Sequence, residues 1–270
     1  MEYDIDATRS FGSSVDFGKT ASDYATFRAG FPPEFFQSLA AHGWVRAGDR
    51  ALDLGTGTGT VARGLAQMGL DVTGVDPAPA LLNEAAVLDQ ESGVNVSYRT
   101  GTAEQLSEPS ASLELVTAGQ CWHWFDRTAA AREACRVLIP GGRIVIAHFD
   151  WLPLAGNVVE ATEALILRHN PSWTMSGGTG IYPSWLGDLA GAGFSSLETF
   201  SFDLPVRYSH DAWRGRIRAS AGVKASLEAS AIARFDDELG RLLRDHYPED
   251  PLYVPHRVWV ASGVKGSDAP

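Results

Sequence analysis

The chain has 270 residues, 22 Lys plus Arg against 33 Asp plus Glu, and a formal net charge of −11. Apolar residues make up 44% and charged residues 20%, a globular profile rather than that of a disordered chain. This length suits one large α/β domain, or one domain with a cap, and the acidic balance argues against nucleic acid, whose phosphates call for Lys and Arg.

Residues 1–22 are rich in Ser, Gly and Asp and read as a mobile arm. Their acidic opening, Met1 to Asp6, lacks the basic start and apolar core of a secretory leader, so a cytoplasmic protein is expected. A single domain is expected over 23–262. Tyr24 and Arg28 lie four apart and share a face if their segment is helical. Pro33 can open a helix reaching about His42. From residue 50 strands and helices alternate. Residues 50–54 read as a strand, Gly55 to Thr60 as a glycine turn. Val61, Leu65 and Met68 recur at helical spacing, and Gly69 ends that helix. Asp71 to Val75 is a second strand, stopped by Asp76-Pro77. Leu81, Ala85 and Leu88 mark the next helix. A third strand is expected over 94–98 and a fourth over 113–118. Asp126 can cap a helix carrying Ala130, Ala134 and Val137. Pro140-Gly141-Gly142 closes it, and 143–149 is a fifth strand. Several strands are apolar on both faces, which suits a parallel sheet covered by helices on both sides.

Beyond residue 150 the pattern loosens. Residues 157–169 read as a helix and 170–181 as a loop holding Pro171, Gly177, Gly178 and Gly180. Pro183 to Ala192 is a short helix, and 197–204 a strand. Leu227, Ala231, Phe235, Leu239 and Leu242 form one apolar helical stripe within 209–246. Val258 to Ala261 is the last strand. Residues 263–270 read as a flexible tail. Cap elements are thus expected at about 151–181 and 205–250. No run of about 18 apolar residues occurs, so no membrane span is expected. Cys121 and Cys135 fit neither a disulfide framework nor a CxxC metal site, and no metal is expected.

The informative stretch is Asp53-Leu54-Gly55-Thr56-Gly57-Thr58-Gly59-Thr60, between a strand and a helix. Glycines there let the backbone turn sharply and approach a ligand, while the helix start offers free N–H groups. A plain tight turn is the competing reading. No lysine follows, so a P-loop is excluded. The dinucleotide pattern GxGxxG fits at Gly55 and Gly57, but Thr60 stands at its third position. Asp53 at the strand end disfavours a pyrophosphate and favours a cation. Asp76, ending the second strand, can accept hydrogen bonds from ribose hydroxyls. An adenosine carrying a cationic tail and no phosphate suits both carboxylates. S-adenosylmethionine has that form. A nicotinamide-dependent oxidoreductase is the alternative.

Asp53-x-Gly55-x-Gly57-x-Gly59 followed by Val75-Asp76 resembles the class I S-adenosylmethionine-dependent methyltransferases. Gly101-Thr102-Ala103-Glu104-Gln105-Leu106 and Arg136-Val137-Leu138-Ile139-Pro140-Gly141-Gly142 are similar to later segments of that family. The run Ala118 to Asp126, and Tyr24-x-x-x-Arg28-x-Gly30-x-Pro32, are similar to its small-molecule branch of trans-aconitate methyltransferase-like enzymes. The resemblance implies an α/β fold with a seven-stranded Rossmann-like sheet, order 3-2-1-4-5-7-6, the seventh strand antiparallel. It implies S-adenosyl-L-methionine as cofactor. Gly55, Thr56, Gly57 and Gly59 would pass under its methionine part and Asp53 would sit near its ammonium. Asp76 would bind the ribose, with Pro77 and Ala78 beside the adenine and Ala103 and Glu104 at its edge. Gln120 would lie near the methionine, and Tyr24 and Arg28 would close over the cofactor. A non-methylating protein of the same fold stays open, since fold does not fix function.

Methyl transfer needs alignment of acceptor, methyl and sulfur, and a base only where the nucleophile keeps its proton. His123, just past the fourth strand, is the candidate base; orienting a neighbour is its competing role. In an extended segment Trp122 and Trp124 would face away from His123. Trp122, Trp124, Trp151, Trp173 and Tyr182 are candidate walls for a small, flat or apolar acceptor, though core packing is the usual fate of such rings. Arg214, Arg216 and Arg218 leave a carboxylate acceptor open. The expected partner is a small molecule, with no nucleic acid and no membrane.

Overall fold

The computed structural model describes residues 30–220, 222–223 and 227–267. Its strands are β1 Arg50–Leu54, β2 Asp71–Asp76, β3 Ser97–Thr100, β4 Leu113–Gly119, β5 Leu138–Trp151, β6 Phe194–Tyr208 and β7 Leu252–Lys265. They form one sheet in the order β3-β2-β1-β4-β5-β7-β6. β1 to β5 pair in parallel, and β7 runs antiparallel to both β5 and β6.

The apolar strands cover both faces of the sheet. Leu52, Leu54, Ile144 and Ile146 point to one side, where they meet α4 Arg127–Val137 and α6 Ser184–Gly191. Ala51, Leu115 and Val145 point to the other, against α1 Pro33–Ala41 and α2 Thr60–Gln67. α3 Pro79–Ser92 links β2 to β3. The alternation within each strand assigns the two faces, and helices supply what each must bury. Asp126 caps α4 as its sequence predicts, accepting from the Ala129 N–H at 3.0 Å.

A third core belongs to the cap. α5 Val158–His169, α7 His210–Arg218 and α8 Ala229–His246 enclose Val159, Ile166, Trp213, Phe235, Leu239 and Leu243 against the ends of β6 and β7. The stripe on α8 ends at Leu243 rather than Leu242, which is half-buried. β6 and β7 are much longer than their apolar runs suggest. They pair with each other from Phe194↔Lys265 to Tyr208↔Leu252, so backbone hydrogen bonds hold a strand whose side chains alternate between exposed and half-buried. Residues 263–265 are therefore strand, not tail. None of the helices among the described residues is long and apolar enough to cross a membrane.

Trp213 ties the cap together. It is fully buried, and its indole N–H donates to Thr162 Oγ1 at 3.1 Å across to α5. Trp213→Ala should cost about 3–5 kcal/mol through the cavity and the lost bond. Urea unfolding followed by circular dichroism checks this; a loss below 1 kcal/mol would mean that the cap collapses freely.

Candidate active site

The glycine loop leaves β1 and reaches α2 through three left-handed glycines, with φ of 57° at Gly55, 56° at Gly57 and 76° at Gly59. Two of them decide the geometry. A Cβ on Gly55 would stand 2.9 Å from Cys121 Cβ, so the loop lies close against the end of β4. A Cβ on Gly57 would meet nothing within 4 Å, so the middle of the loop fronts open space. The Gly57 N–H donates to Asp76 Oδ2 and the Ala78 N–H to Asp76 Oδ1, each at 2.9 Å. Asp76 is thereby fixed at the crevice, its remaining lone pairs open to a hydroxyl pair.

Asp53 is deeper. It is 1% exposed, and its oxygens accept from Thr56 Oγ1 and Thr117 Oγ1, both at 2.7 Å. Register explains the second bond, since Asp53 and Thr117 are direct cross-strand partners. Burial pushes the Asp53 carboxyl up to about 6, against the opposing pull of those hydrogen bonds. Burial also raises Asp76. Both carboxyls hold their protons more firmly than in water, and a cation in the crevice would reverse that.

At the end of β4 the chain makes a single 3-10 turn, Trp122–Trp124, instead of the extended run that alternation assumes. The turn sends Trp122 inward. It is fully buried, with its indole N–H on Asp188 at 3.0 Å, and so is a core residue rather than a pocket wall. His123 and Trp124 remain half-buried, their rings 4.6 Å apart. Gln120 adopts a left-handed φ of 64°, and its amide donates to the Phe149 carbonyl.

His123 is joined to residues that sequence reasoning passed over. Its Nδ1 lies 3.2 Å from Nε2 of the buried His148, whose Nδ1 lies 3.1 Å from Asp150. Tyr182 donates its hydroxyl proton to the same carboxylate. Burial would raise Asp150, but the charge of His148, its hydrogen bond and that from Tyr182 hold it well below the usual carboxylate range. An ionised Asp150 accepts a hydrogen bond from His148 Nδ1–H. When His148 is neutral, its Nε2 accepts from His123 Nδ1–H, and His123 then presents Nε2 as its acceptor nitrogen. The signal in sequence was a His and an Asp two apart, hence on one face, at the end of an apolar strand.

The other candidates scatter. Pro77 is exposed, Ala78 is half-buried and Ala103 is buried. Glu104 accepts from the Asp126 N–H at 3.1 Å, which ties it to the start of α4. Trp151 donates to Glu163 at 2.8 Å and packs edge-on to Trp213. Trp173 packs on the cap core, its indole N–H buried without a hydrogen-bond partner among the described residues. Tyr182 stacks on the buried Trp185 at 4.3 Å. Tyr24 and Arg28 lie outside the described residues. Among the described residues no group of three or more His, Cys, Asp or Glu could hold a metal ion.

Residues 52–146 match the sequence pattern of a methyltransferase domain. An uncharacterised methyltransferase of Mycobacterium tuberculosis is 39% identical over 153 residues, 54% of this chain and 59% of that protein. The chain thus spans less than two thirds of the length of this mycobacterial relative. The ubiquinone biosynthesis O-methyltransferase of Xanthomonas axonopodis pv. citri is 33% identical over 189 residues, covering 69% of this chain and 77% of that one. A solved structure from Anaeromyxobacter dehalogenans, described as a type II methyltransferase, superposes with a TM-score of 0.64 at 25% identity, over 89% of this chain and 99% of that one. This chain belongs to the class I S-adenosylmethionine-dependent methyltransferases. Its cofactor is S-adenosyl-L-methionine. The crevice of this methyltransferase suits that molecule: a loop open at Gly57, a backbone-fixed Asp76 and a buried Asp53, with no lysine for a phosphate. The resemblance to the trans-aconitate branch gains no support from these relatives.

The raised Asp53 has a consequence for ligand binding. A carboxyl whose folded pKa exceeds its unfolded value stabilises the ligand-free protein at low pH, and that contribution is lost as pH rises through about 6. A bound ammonium favours the ionised form. Affinity for S-adenosylhomocysteine should therefore rise about tenfold from pH 5 to 7. Calorimetry should show that rise flattened in Asp53→Asn. An equal rise in the variant would remove Asp53 from the ligand's field.

Proposed function

We propose that this methyltransferase moves the methyl group of S-adenosylmethionine to a hydroxyl of a small aromatic molecule, with His123 as general base. The single observation that carries the base is the hydrogen-bonded series His123–His148–Asp150–Tyr182 at the end of β5. A hydroxyl as acceptor is supported by the Xanthomonas relative, which is named an O-methyltransferase. A cytoplasmic setting belongs to the same proposal.

When bound, the cofactor supplies a methyl carbon already activated by a sulfonium. The chain's own residues do the rest. Gly55, Thr56, Gly57 and Gly59 would hold the methionine part, with Gln120 beside it. Asp76 would take the ribose, Pro77 and Ala78 would flank the adenine, and Ala103 and Glu104 would close its edge. Nε2 of His123 removes the acceptor's proton as the new bond forms. Asp150 acts through His148 to fix that tautomer and aim the nitrogen, and its charge steadies the imidazolium that forms. Trp124 and Tyr182 bring apolar surface to the acceptor side. Alignment supplies most of the rate, and proton removal adds about 10²–10⁴-fold.

Formation of S-adenosylhomocysteine from S-adenosylmethionine in the presence of each of a panel of phenols and catechols tests this reading. His123→Ala should lower kcat by about 10²-fold or more while affinity for S-adenosylhomocysteine is unchanged. The deficit should shrink as pH rises and the phenol ionises unaided. His148→Gln should lower kcat less and leave KM alone. Full turnover by His123→Ala at neutral pH would end its role as base.

A further inference from the structure

α7 carries three arginines two residues apart, and they divide. Arg214 and Arg218 lie four apart on one face, and both close on Asp236 of α8, Arg218 at 2.7 Å. Arg216 turns the other way, into the cap. Its guanidinium stands 4.7 Å from the centre of the Trp151 ring. Among the described residues it makes no salt bridge, and Tyr208, whose hydroxyl is neutral, is its side-chain hydrogen-bond partner. The carboxylates of this region are engaged elsewhere. Asp150 is held by His148 and Tyr182, and acts on Arg216 through its charge. Glu163 is held by the Trp151 indole at 2.8 Å and the Gly177 N–H at 2.7 Å.

A buried guanidinium without an ion pair is costly, and burial lowers its pKa. It persists where something compensates the charge. Arg216, Asp150 and Tyr182 are enclosed by protein, yet each keeps accessible surface, and the Asp150 side chain is 26% exposed. Trp151 links Asp150 and Arg216, since it follows Asp150 at the end of β5 and lies under the Arg216 guanidinium. The proton-accepting series and a guanidinium without an ion pair therefore meet at the same end of β5.

We propose that Arg216 binds a carboxylate of the methyl acceptor, which makes the substrate class a small hydroxylated carboxylic acid. This rests on reading the site as that of a methyltransferase with His123 as base. The fork of a guanidinium matches a carboxylate with two parallel hydrogen bonds. The Trp151 face holds that fork in place by cation–π attraction. A single guanidinium without an ion pair matches a single negative charge, and its five N–H donors leave room for one beside the Tyr208 hydrogen bond. The carboxylate is the handle, and the hydroxyl is the reacting end.

The test uses para-hydroxybenzoate, protocatechuate and caffeate, each paired with its neutral amide. Binding is measured by calorimetry to the full chain, with and without S-adenosylhomocysteine. At least one acid should bind about tenfold more tightly than its amide. Arg216→Met should erase that preference, and its melting temperature should hold or rise, because it keeps the packing and removes a buried charge. Arg216→Lys should keep part of the preference. Equal affinities for acids and amides, or no acid bound, would overturn the proposal. So would a drop in melting temperature of more than about 5 °C in Arg216→Met, which would make the guanidinium structural. Failure to bind S-adenosylhomocysteine would instead count against the methyltransferase reading, and the titration without it would still judge Arg216.

Discussion

A single buried carboxylate ties together three elements on which the site depends. Asp53 ends β1, holds the glycine loop through Thr56 and holds β4 through Thr117. Both bonds are 2.7 Å long and tie the crevice to β1 and β4. Neither partner is charged, and their hydrogen bonds offset only part of the burial that raises its pKa. Asp76 completes the arrangement from β2, clamped by two backbone N–H groups. Hydrogen bonds that cross between strands thus hold the crevice, and its two carboxyls, met by neutral donors alone, are left to respond to a cation.

The opposite side of the site is built on β5. His148 and Asp150 share one face of that strand, and cross-strand pairing with Trp259 and Arg257 holds them in register. His123 comes from the turn after β4, and Tyr182 from the segment before α6. A backbone ladder therefore fixes the middle of the series, while its two ends arrive on connecting segments. That order suits a group which must be aimed at a ligand yet keep a constant proton arrangement.

Much of the sheet was legible because its evidence is local. A strand, a glycine turn and an amphipathic helix follow one another within residues 50–68, and each is marked by residues a few places apart. The carboxylates at Asp53 and Asp76 could be placed for the same reason. What stayed hidden depends on distant partners. β6 and β7 extend past their apolar runs because they pair with each other. Trp122 reads like Trp124 in sequence, and only the 3-10 turn separates a core ring from a half-open one. His148 and Asp150 sit inside a strand whose apolar neighbours mask them. Arg216 is indistinguishable from Arg214 and Arg218 until Asp236 claims the other two.

The third core lets the molecule vary one half without disturbing the other. The glycine loop, Asp53 and Asp76 lie on β1, β2 and the loop between them, whereas the cap core is built from α5, α7, α8 and the far ends of β6 and β7. Trp151 is the seam, being the last residue of β5 and a neighbour of Trp213. Substitutions beyond that seam can redraw which compounds are accepted while leaving the nucleoside grip intact. The architecture is in that sense a fixed chassis with an exchangeable tool head, and new specificities can be explored one cap residue at a time.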